Sequence, residues 1–372
     1  MVPRFHGLIV VMALALLGLA CTPAAQPPAK PTAGQPAAVA TTAPAAATSA
    51  PPSAAALSPP VTVRAAIVRS ASDSGIFLAD EKGFLREQGI EIDITQMNAA
   101  QQQVPLLGTG QLEIGSGGTA AGLVNAVALD VPMRIVADKG STPPGFGYQG
   151  VLVRKDLVDS GAFHGCPSFK GMRVANPAIE NSSGPMYARL LHECGLEFSD
   201  IDMIALGFPD MPAAFRNGAI EASNMLEPLL TRTLDEGFAV LYKRNDEIYP
   251  YQQNAALLYG PQFMANQRAV AQRFMIAYIK GVRYYNDAFT KGLNKAEVID
   301  ILARNTRVDP AVVERMTPVG LNPDGYINMD TFAADVEWWT SQGFIKTRVD
   351  PADVVDHSFV DYAIERLGHY AR

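Results

Sequence analysis

Cysteine, histidine and long apolar runs are scarce in this chain of 372 residues. It has three cysteines and five histidines, and no histidine stands with Cys, Asp or Glu at the spacing of metal ligands. We therefore expect no metal and no other cofactor. His192 and Glu193 begin like a zinc-protease motif, but Leu196 stands where the second histidine is required. A Gly-x-Ser-x-Gly elbow and a phosphate-binding glycine loop with lysine are also missing, which argues against those enzyme classes.

An excess of basic residues is missing as well. The formal net charge is −7 and the isoelectric point is near 5.3. No basic run interleaves with aromatic residues, so nucleic acid is not an expected partner.

The N-terminus has the pattern of an export signal. Arg4 precedes an apolar run from Leu8 to Ala20, and about 13 residues are too few for the roughly 20 that a helix needs to cross a bilayer. Residues 1–20 are therefore predicted to be a signal peptide. Residues 17–21 resemble a bacterial lipobox, although Gly18 stands where a branched apolar residue is usual. The resemblance implies that Cys21 is lipidated and anchors the protein to the membrane. The alternatives are a plain cleaved signal and a chance cysteine.

The segment that follows is rich in proline and alanine. Residues 22–60 contain ten prolines and 15 alanines, and Lys30 is their only charged residue. Such a composition does not build a hydrophobic core, and proline favours an extended backbone. We interpret residues 21–60 as a tether, with a disordered spacer as the alternative.

The remaining residues have the composition and length of two compact lobes. Strand-like and helix-like periods alternate from residue 61 onward, which indicates βαβ units and an α/β fold with parallel sheets covered by helices. We predict a first lobe from residues 61–150, a second from 151–250, and a return to the first lobe in 251–372. The last helices are expected to pack on the first lobe, with the hinge near 147–152 and 227–259.

Four motifs carry a resemblance to a known family. They are Gly83-Phe84-Leu85 with Gln88-Gly89-Ile90, residues 111–115, residues 169–175, and residues 215–222 leading to Glu227-Pro228. Their order and spacing resemble the nitrate, sulfonate, taurine and thiamine-precursor family of ABC substrate-binding proteins. The resemblance implies a two-lobe periplasmic-binding-protein type II fold with a hinge and an interlobe ligand cleft. It also implies an extracytoplasmic, monomeric receptor that delivers a small molecule to ABC permease subunits.

Three polar segments stand where ligands bind in open α/β sheets, beyond the carboxyl ends of strands. Ser182 and Ser183 with Asn181 open a helix, whose N-terminus favours anions; the family's equivalent turn commonly binds a sulfonate or a carboxylate. Helix capping is the alternative role for residues 181–183 and for the segment at residues 70–73. The predicted ligand-binding residues of the other two segments are Ser70, Ser72 and Asp73, and Ser116, Gly117, Gly118 and Thr119.

Four further residues are candidates for the walls of the cleft. Phe146, Tyr148 and Phe208 would supply apolar surface, with ordinary packing as an equal alternative. Glu227 in the cleft would favour an amino-bearing ring such as a pyrimidine over an inorganic anion. The alternative is an ion pair with Arg232 outside the site.

Cys166 and Cys194 remain when Cys21 carries lipid. An even pair in an exported domain allows a disulfide, with two buried thiols as the alternative.

The sequence predicts a binding protein rather than an enzyme. Two other classes stay open: a pyrimidine-synthase-like enzyme on the same fold, which lacks support because the chain has no cysteine cluster, and a ligand-sensing partner of a membrane receptor. A receptor for transport and a receptor for sensing need the same closing cleft.

Overall fold

The computed structural model describes residues 55–97 and 100–371. The predicted signal peptide, the predicted lipidation site at Cys21 and most of the predicted tether lie outside this range. Within it, no helix combines the length and the apolar character needed to cross a membrane.

Ten β-strands of the described residues form two five-stranded sheets. In chain order they are β1 Val61–Ile67, β2 Ile90–Gln96, β3 Ile114–Gly118, β4 Arg134–Ser141, β5 Gln149–Arg154, β6 Arg173–Asn176, β7 Asp202–Ala205, β8 Ala222–Leu226, β9 Ala239–Arg244 and β10 Gln253–Tyr259. The first sheet has the order β2-β1-β3-β10-β4, and the second has the order β7-β6-β8-β5-β9. The chain thus builds one lobe, then the other, and returns to the first through β10.

Both sheets are mixed, so the prediction of parallel sheets was wrong. Strand β10 runs antiparallel to β3 and β4, and β5 runs antiparallel to β8 and β9. The cause lies in the two connections between the lobes. Because β4 leaves the first sheet at Ser141 and β10 enters it opposite that residue, at Gln253, the returning strand must run in the opposite direction.

Sixteen α-helices cover the sheets in the described part of the chain. They are α1 Ser74–Glu81, α2 Phe84–Glu87, α3 Val104–Gly108, α4 Ala121–Ala128, α5 Lys155–Asp159, α6 Ser183–His192, α7 Met211–Arg216, α8 Leu229–Asp235, α9 Asn245–Ile248, α10 Pro261–Asn266, α11 Arg268–Thr290, α12 Lys295–Thr306, α13 Pro310–Arg315, α14 Met329–Ser341, α15 Pro351–Val354 and α16 Ser358–Leu367.

The C-terminal helices pack on the first lobe, as the sequence predicts. The long helix α11 lies against α1 and α16. The approach to α1 is so close that a Cβ atom on Gly281 would overlap the carbonyl oxygen of Gly75, which explains glycine at that point. Helix α14 contacts both lobes, since it touches β10 and α6.

The two lobe crossings run side by side and connect β4 to β5 and β9 to β10. They contact each other where the Thr142 hydroxyl donates to the Tyr249 carbonyl at 2.9 Å and the Tyr251 N–H donates to the Thr142 carbonyl. The predicted hinge segment 147–152 was placed too late, because Gly150 and Leu152 belong to β5. Two short adjacent segments of this kind suit a hinge.

A disulfide joins Cys166 to Cys194, with an S–S distance of 2.02 Å. Cys166 lies before β6 and Cys194 follows α6, so the bridge ties the start of this βα unit to its end. The two residues are separated by 28 positions in the sequence. A loop of this length loses considerable entropy in the unfolded chain when it is closed.

Removal of the disulfide with the double change Cys166→Ala and Cys194→Ala is expected to lower the free energy of unfolding by about 2–4 kcal/mol. Denaturant unfolding of the oxidised protein and of the double variant measures this difference. Reduction of the wild type should give a similar loss and leave the variant unchanged. A difference near zero would show that the bridge does not stabilise the lobe.

Candidate ligand-binding cleft

A cavity lies between the lobes, where strands from both sheets end. It encloses about 500 Å³ of non-protein space, part of it open to solvent. We call it the inner cavity. Its lining comes from both lobes: Val68, Ser70, Ser72, Ala100, Gln101, Gly118, Lys139, Tyr148, Gln149, Pro177, Asn181, Ser182, Ser183, Phe208, Leu226 and Ala255.

The first-lobe wall contains a buried ion pair. The Lys139 ammonium lies 3.0 Å from Asp73 Oδ1, and the two side chains are 1% and 0% exposed. Lys139 also donates to the Ser72 hydroxyl at 2.7 Å, which lies 2.9 Å from the Ser70 hydroxyl. The Ser116 hydroxyl donates to the same Asp73 oxygen at 2.6 Å. This network fixes a lysine at the cavity wall while its charge is balanced by Asp73.

Asp73 and Ser116 support the cavity wall from behind and do not line it. The side chain of Asp73 also accepts from the Ser70 N–H at 2.9 Å. The capping interpretation of this segment therefore holds for Asp73, while Ser70 and Ser72 line the cavity.

The second-lobe wall is formed by the start of α6. Asn181, Ser182 and Ser183 all line the cavity, as predicted. The Ser182 hydroxyl donates to the Asn254 carbonyl at 3.1 Å, and the Ser183 hydroxyl accepts from Asn224 Nδ2 at 2.7 Å. These three side chains thus place polar groups opposite the Lys139 wall.

Backbone donors at the start of α6 are already occupied, which corrects the expectation that they bind an anion in this conformation. The Ser182 N–H donates to the Thr119 carbonyl, and the Ser183 N–H donates to Asn181 Oδ1 at 3.0 Å. The Gly184 N–H donates to the Asn181 carbonyl. The reason is that the preceding turn folds back on the helix start and pairs with the other lobe.

The lobes contact each other directly beside the cavity. Residues Ala120 and Asn181 form an antiparallel bridge, in which the Ala121 N–H donates to the Glu180 carbonyl. From the hinge, Gln252 Nε2 donates to the Ser182 carbonyl at 2.8 Å. The structure therefore represents a closed arrangement of the two lobes.

The predicted loop 116–119 is largely strand. Ser116, Gly117 and Gly118 belong to β3, because their N–H and carbonyl groups pair with β10. Gly118 lines the inner cavity, whereas a Cβ on Gly117 would meet Ala100. The Thr119 hydroxyl donates to the Gln253 carbonyl at 2.9 Å, so it serves the packing of the strand.

Two of the three aromatic candidates line the inner cavity. Tyr148 and Phe208 are part of its wall, and burial raises the pKa of the Tyr148 hydroxyl, which keeps it neutral. Phe146 does not line it and lies in the crossing loop, where its N–H donates to the Pro143 carbonyl.

Glu227 points away from the inner cavity, so the predicted attraction for an amino-bearing ring is not supported. Its carboxylate accepts from the N–H and hydroxyl of Thr231, both at 3.0 Å, and from the Thr317 N–H at 3.2 Å. Arg244, rather than the expected Arg232, lies 3.5 Å from it. Burial raises the pKa of Glu227, while these hydrogen bonds and Arg244 lower it.

A second space adjoins the inner cavity. It has a volume of about 770 Å³, including the part open to solvent, and we call it the outer compartment. Four residues line both spaces: Val68, Ser70, Phe208 and Leu226. The rest of its lining is Arg69, Gln96, Pro209, Pro228, Leu229, Arg232, Thr306, Arg307 and Val308.

Sequence reasoning missed half of the inner cavity, including Lys139. Lys139 lies within β4, which continues to Ser141. A lysine inside a strand that is otherwise buried was the available signal, since an unpaired buried lysine is rarely tolerated. The other missed residues are Val68, Ala100, Gln101, Gln149, Pro177, Leu226 and Ala255.

Comparison with family models decides the family. The model described as NMT1/THI5 like matches residues 71–288, which is more than half of the chain and includes segments of both lobes. The chain belongs to the NMT1/THI5-like family. The family relationship identified from the four motifs is thereby confirmed.

Relatives of this NMT1/THI5-like chain include named binding proteins. A Bacillus subtilis protein named for binding aliphatic sulfonates is 22% identical over 311 residues, covering 82% of this chain and 88% of the relative.

Solved structures share the fold. The alkanesulfonate-binding protein SsuA from Xanthomonas axonopodis pv. citri, bound to MOPS, has a TM-score of 0.64 and 21% identity, covering 80% of this chain and 99% of that one. The periplasmic nitrate-binding protein NrtA from Synechocystis PCC 6803 has a TM-score of 0.70 and 15% identity, with coverages of 83% and 89%. The desulfurization enzyme DSZB has a TM-score of 0.58 and 15% identity, with coverages of 82% and 99%. The predicted periplasmic-binding-protein fold is confirmed.

Proposed function

We propose that this protein is an extracytoplasmic solute receptor that captures a small organic molecule in the inner cavity and delivers it to an ABC importer. The observation that carries the proposal is the inner cavity itself, because both lobes contribute its polar lining at the carboxyl ends of their strands. A ligand there contacts both lobes, so it stabilises the closed arrangement over an open one.

The ligand class that fits best is an organic sulfonate or carboxylate whose polar and apolar groups partly occupy the inner cavity. Serine hydroxyls, the Asn181 and Gln149 amides and the Lys139 ammonium offer hydrogen bonds, while Phe208 and Leu226 offer apolar surface for a carbon skeleton. Relatives named for sulfonates and nitrate agree with an anionic group. A nitrogenous aromatic ring such as a pyrimidine loses its main support, because Glu227 does not line this cavity.

Delivery requires that the receptor stay near its permease. Lipidation of Cys21 and a proline-rich tether would hold it there, since each buried methylene contributes about 0.8 kcal/mol to membrane binding. Mass measurement of the protein extracted from membranes tests this step, and an intact signal peptide or an unmodified Cys21 would contradict it.

Changing both Ser182 and Ser183 to alanine is expected to weaken ligand binding by about tenfold or more, which corresponds to about 1.4 kcal/mol. Both residues line the inner cavity, and ligand hydrogen bonds to such hydroxyls contribute about 0.5–1.5 kcal/mol each. Calorimetric titration with the best ligand of a panel of sulfonates and carboxylates measures the change.

The matched control for this prediction is Ser160→Ala, which removes an exposed hydroxyl at the end of α5. The control should bind as the wild type does. Unchanged affinity in a correctly folded Ser182 and Ser183 double variant would remove this wall from the ligand site.

The same titration addresses the enzyme alternative. A receptor releases its ligand chemically unchanged, whereas an enzyme related to DSZB in fold would convert it. Mass spectrometry of the ligand after prolonged incubation distinguishes the two, and appearance of a product would overturn the receptor proposal.

A further inference from the structure

The outer compartment has an unusual balance of charge. Arginines 69, 232 and 307 line it, and no carboxylate of the described residues does. Apart from these three, its lining is apolar or carries neutral polar groups. Cationic groups that are not paired with carboxylates attract anions.

Two of the three guanidinium groups are available to a ligand. Arg69 and Arg307 form no ion pair with any described residue, whereas Arg232 lies 3.2 Å from Glu236. Arg69 donates from Nη1 to the Asn305 carbonyl at 3.1 Å. Its Nε is buried and has no partner within the described part of the chain, although such groups are normally hydrogen-bonded.

The inner cavity, in contrast, is electrically balanced. Its one cationic lining residue, Lys139, is already paired with the buried Asp73, and its other polar lining groups are neutral hydroxyls and amides. An anion placed there would add an uncompensated charge to a site with little exposure to water, which is costly. A neutral hydrogen-bonding group would meet no such penalty.

The two spaces share one boundary, which an elongated molecule would cross to occupy both. Val68, Ser70, Phe208 and Leu226 line both spaces, so this boundary is mostly apolar. It suits the carbon skeleton that joins the two ends of such a molecule.

We propose that the ligand is an elongated organic anion whose carboxylate or sulfonate binds Arg69 and Arg307 in the outer compartment. Its other end is a neutral hydroxyl or amide that binds the Ser70, Ser72 and Lys139 wall. Guanidinium groups suit this role because they bind such anions with paired hydrogen bonds. This inference rests on the proposed function, since it assumes that the inner cavity holds the ligand.

The outer compartment also connects the anion to lobe closure. Arg69 and Arg307 belong to the first lobe, while Arg232 lies on α8 of the second. An anion between them would contact both lobes and would offset the repulsion that arises when three cations approach each other.

Matched pairs of probes test the proposal on the full-length protein. Each pair consists of a hydroxyalkyl carboxylate of four to eight carbons and its primary amide, for example 6-hydroxyhexanoate and 6-hydroxyhexanamide. Corresponding hydroxyalkyl sulfonates extend the series. We expect the best carboxylate or sulfonate to bind at least about tenfold more tightly than its neutral partner, or about 1.4 kcal/mol.

Variants of the two arginines test whether these residues cause the preference for the anion over the amide. Arg69→Gln and Arg307→Gln should each reduce anion binding by about tenfold and leave amide binding unchanged. The control is Arg304→Gln, which removes an exposed arginine of α12, the helix that ends just before Arg307. Arg304 pairs with Glu81, and its replacement should have no effect on ligand binding. Melting temperatures close to that of the wild type establish that the variants are folded.

The outcomes separate this inference from the proposed function. Equal binding of anion and amide, or anion binding that survives both arginine changes, overturns the inference. If the Ser182 and Ser183 changes still weaken binding, the receptor proposal stands. Binding that resists both the serine and the arginine changes overturns the cavity assignment as well. Failure of every pair to bind also contradicts the inference.

Discussion

Replacing Lys139 by methionine is expected to lower the free energy of unfolding by about 3–5 kcal/mol, because it leaves Asp73 buried without its cation. Asp73 is fully buried and accepts hydrogen bonds from Ser116 and from the backbone of Ser70. These donors stabilise the carboxylate only in part. Methionine fills a similar volume, so the loss would arise from charge rather than from a cavity.

The double change of Asp73→Asn and Lys139→Met provides the control. Removing both charges takes away the unpaired carboxylate, so much of the lost stability should return. Denaturant unfolding of the two single variants and the double variant gives the coupling between the residues. Additive losses in the double variant would show that the ion pair does not act as a unit.

The free energy of unfolding of the wild type is expected to fall by about 2–3 kcal/mol as the pH rises from 6 to 8. One extra bound proton in the folded state changes this free energy by about 1.4 kcal/mol for each pH unit. The group responsible is Asp335 on α14, whose pKa burial raises to about 8. Its Oδ2 accepts from Gln252 Nε2 at 2.9 Å, and its Oδ1 has no partner among the described residues.

The direction of this pH effect follows from the number of protons that the folded and unfolded states bind at Asp335. Between the ordinary pKa of 3.8 and the raised value of about 8, the folded protein binds more protons at this site than the unfolded chain does. Stability therefore decreases with rising pH in this window and becomes constant above it. Tyr249 and Arg189 also face Asp335. Both favour its charged form, but burial opposes that form more strongly.

Asp335→Asn isolates the effect. Denaturant unfolding of the wild type and the variant between pH 6 and pH 8 should show a smaller decrease in the variant. Burial raises the pKa of Asp138 to about 6, so this second group acts mainly below the chosen window. Parallel curves for the two proteins would contradict the assignment to Asp335.

Local sequence pattern was sufficient for much of the fold and for part of the cleft. Phe208 and the serines of residues 70–72 and 182–183 were predicted because residues beyond strand ends line clefts in α/β folds, and Tyr148 was predicted from its place in the crossing between the lobes. The same rule misplaced Ser116 and Thr119, since glycines at 117 and 118 look like a turn although β10 pairs with them as strand.

Long-range pairing explains the other differences. The antiparallel direction of β10 depends on where the chain re-enters the first lobe, which local periodicity does not encode. Lys139 was missed and Glu227 was misplaced for a related reason. Lys139 is held by its ion pair with Asp73, and Glu227 is held by hydrogen bonds from Thr231 and Thr317. No sequence motif describes these contacts.

Thermal unfolding against a ligand panel tests the central claim most directly. The panel contains sulfonates, carboxylates, pyrimidines, flavins and inorganic anions, and a ligand that binds the folded state raises the melting temperature by mass action. The receptor account predicts a concentration-dependent rise with one class of organic anion, and a smaller rise at the same ligand concentration in the Ser182 and Ser183 double variant. An equal rise in that variant, or no rise with any organic anion, would contradict the account.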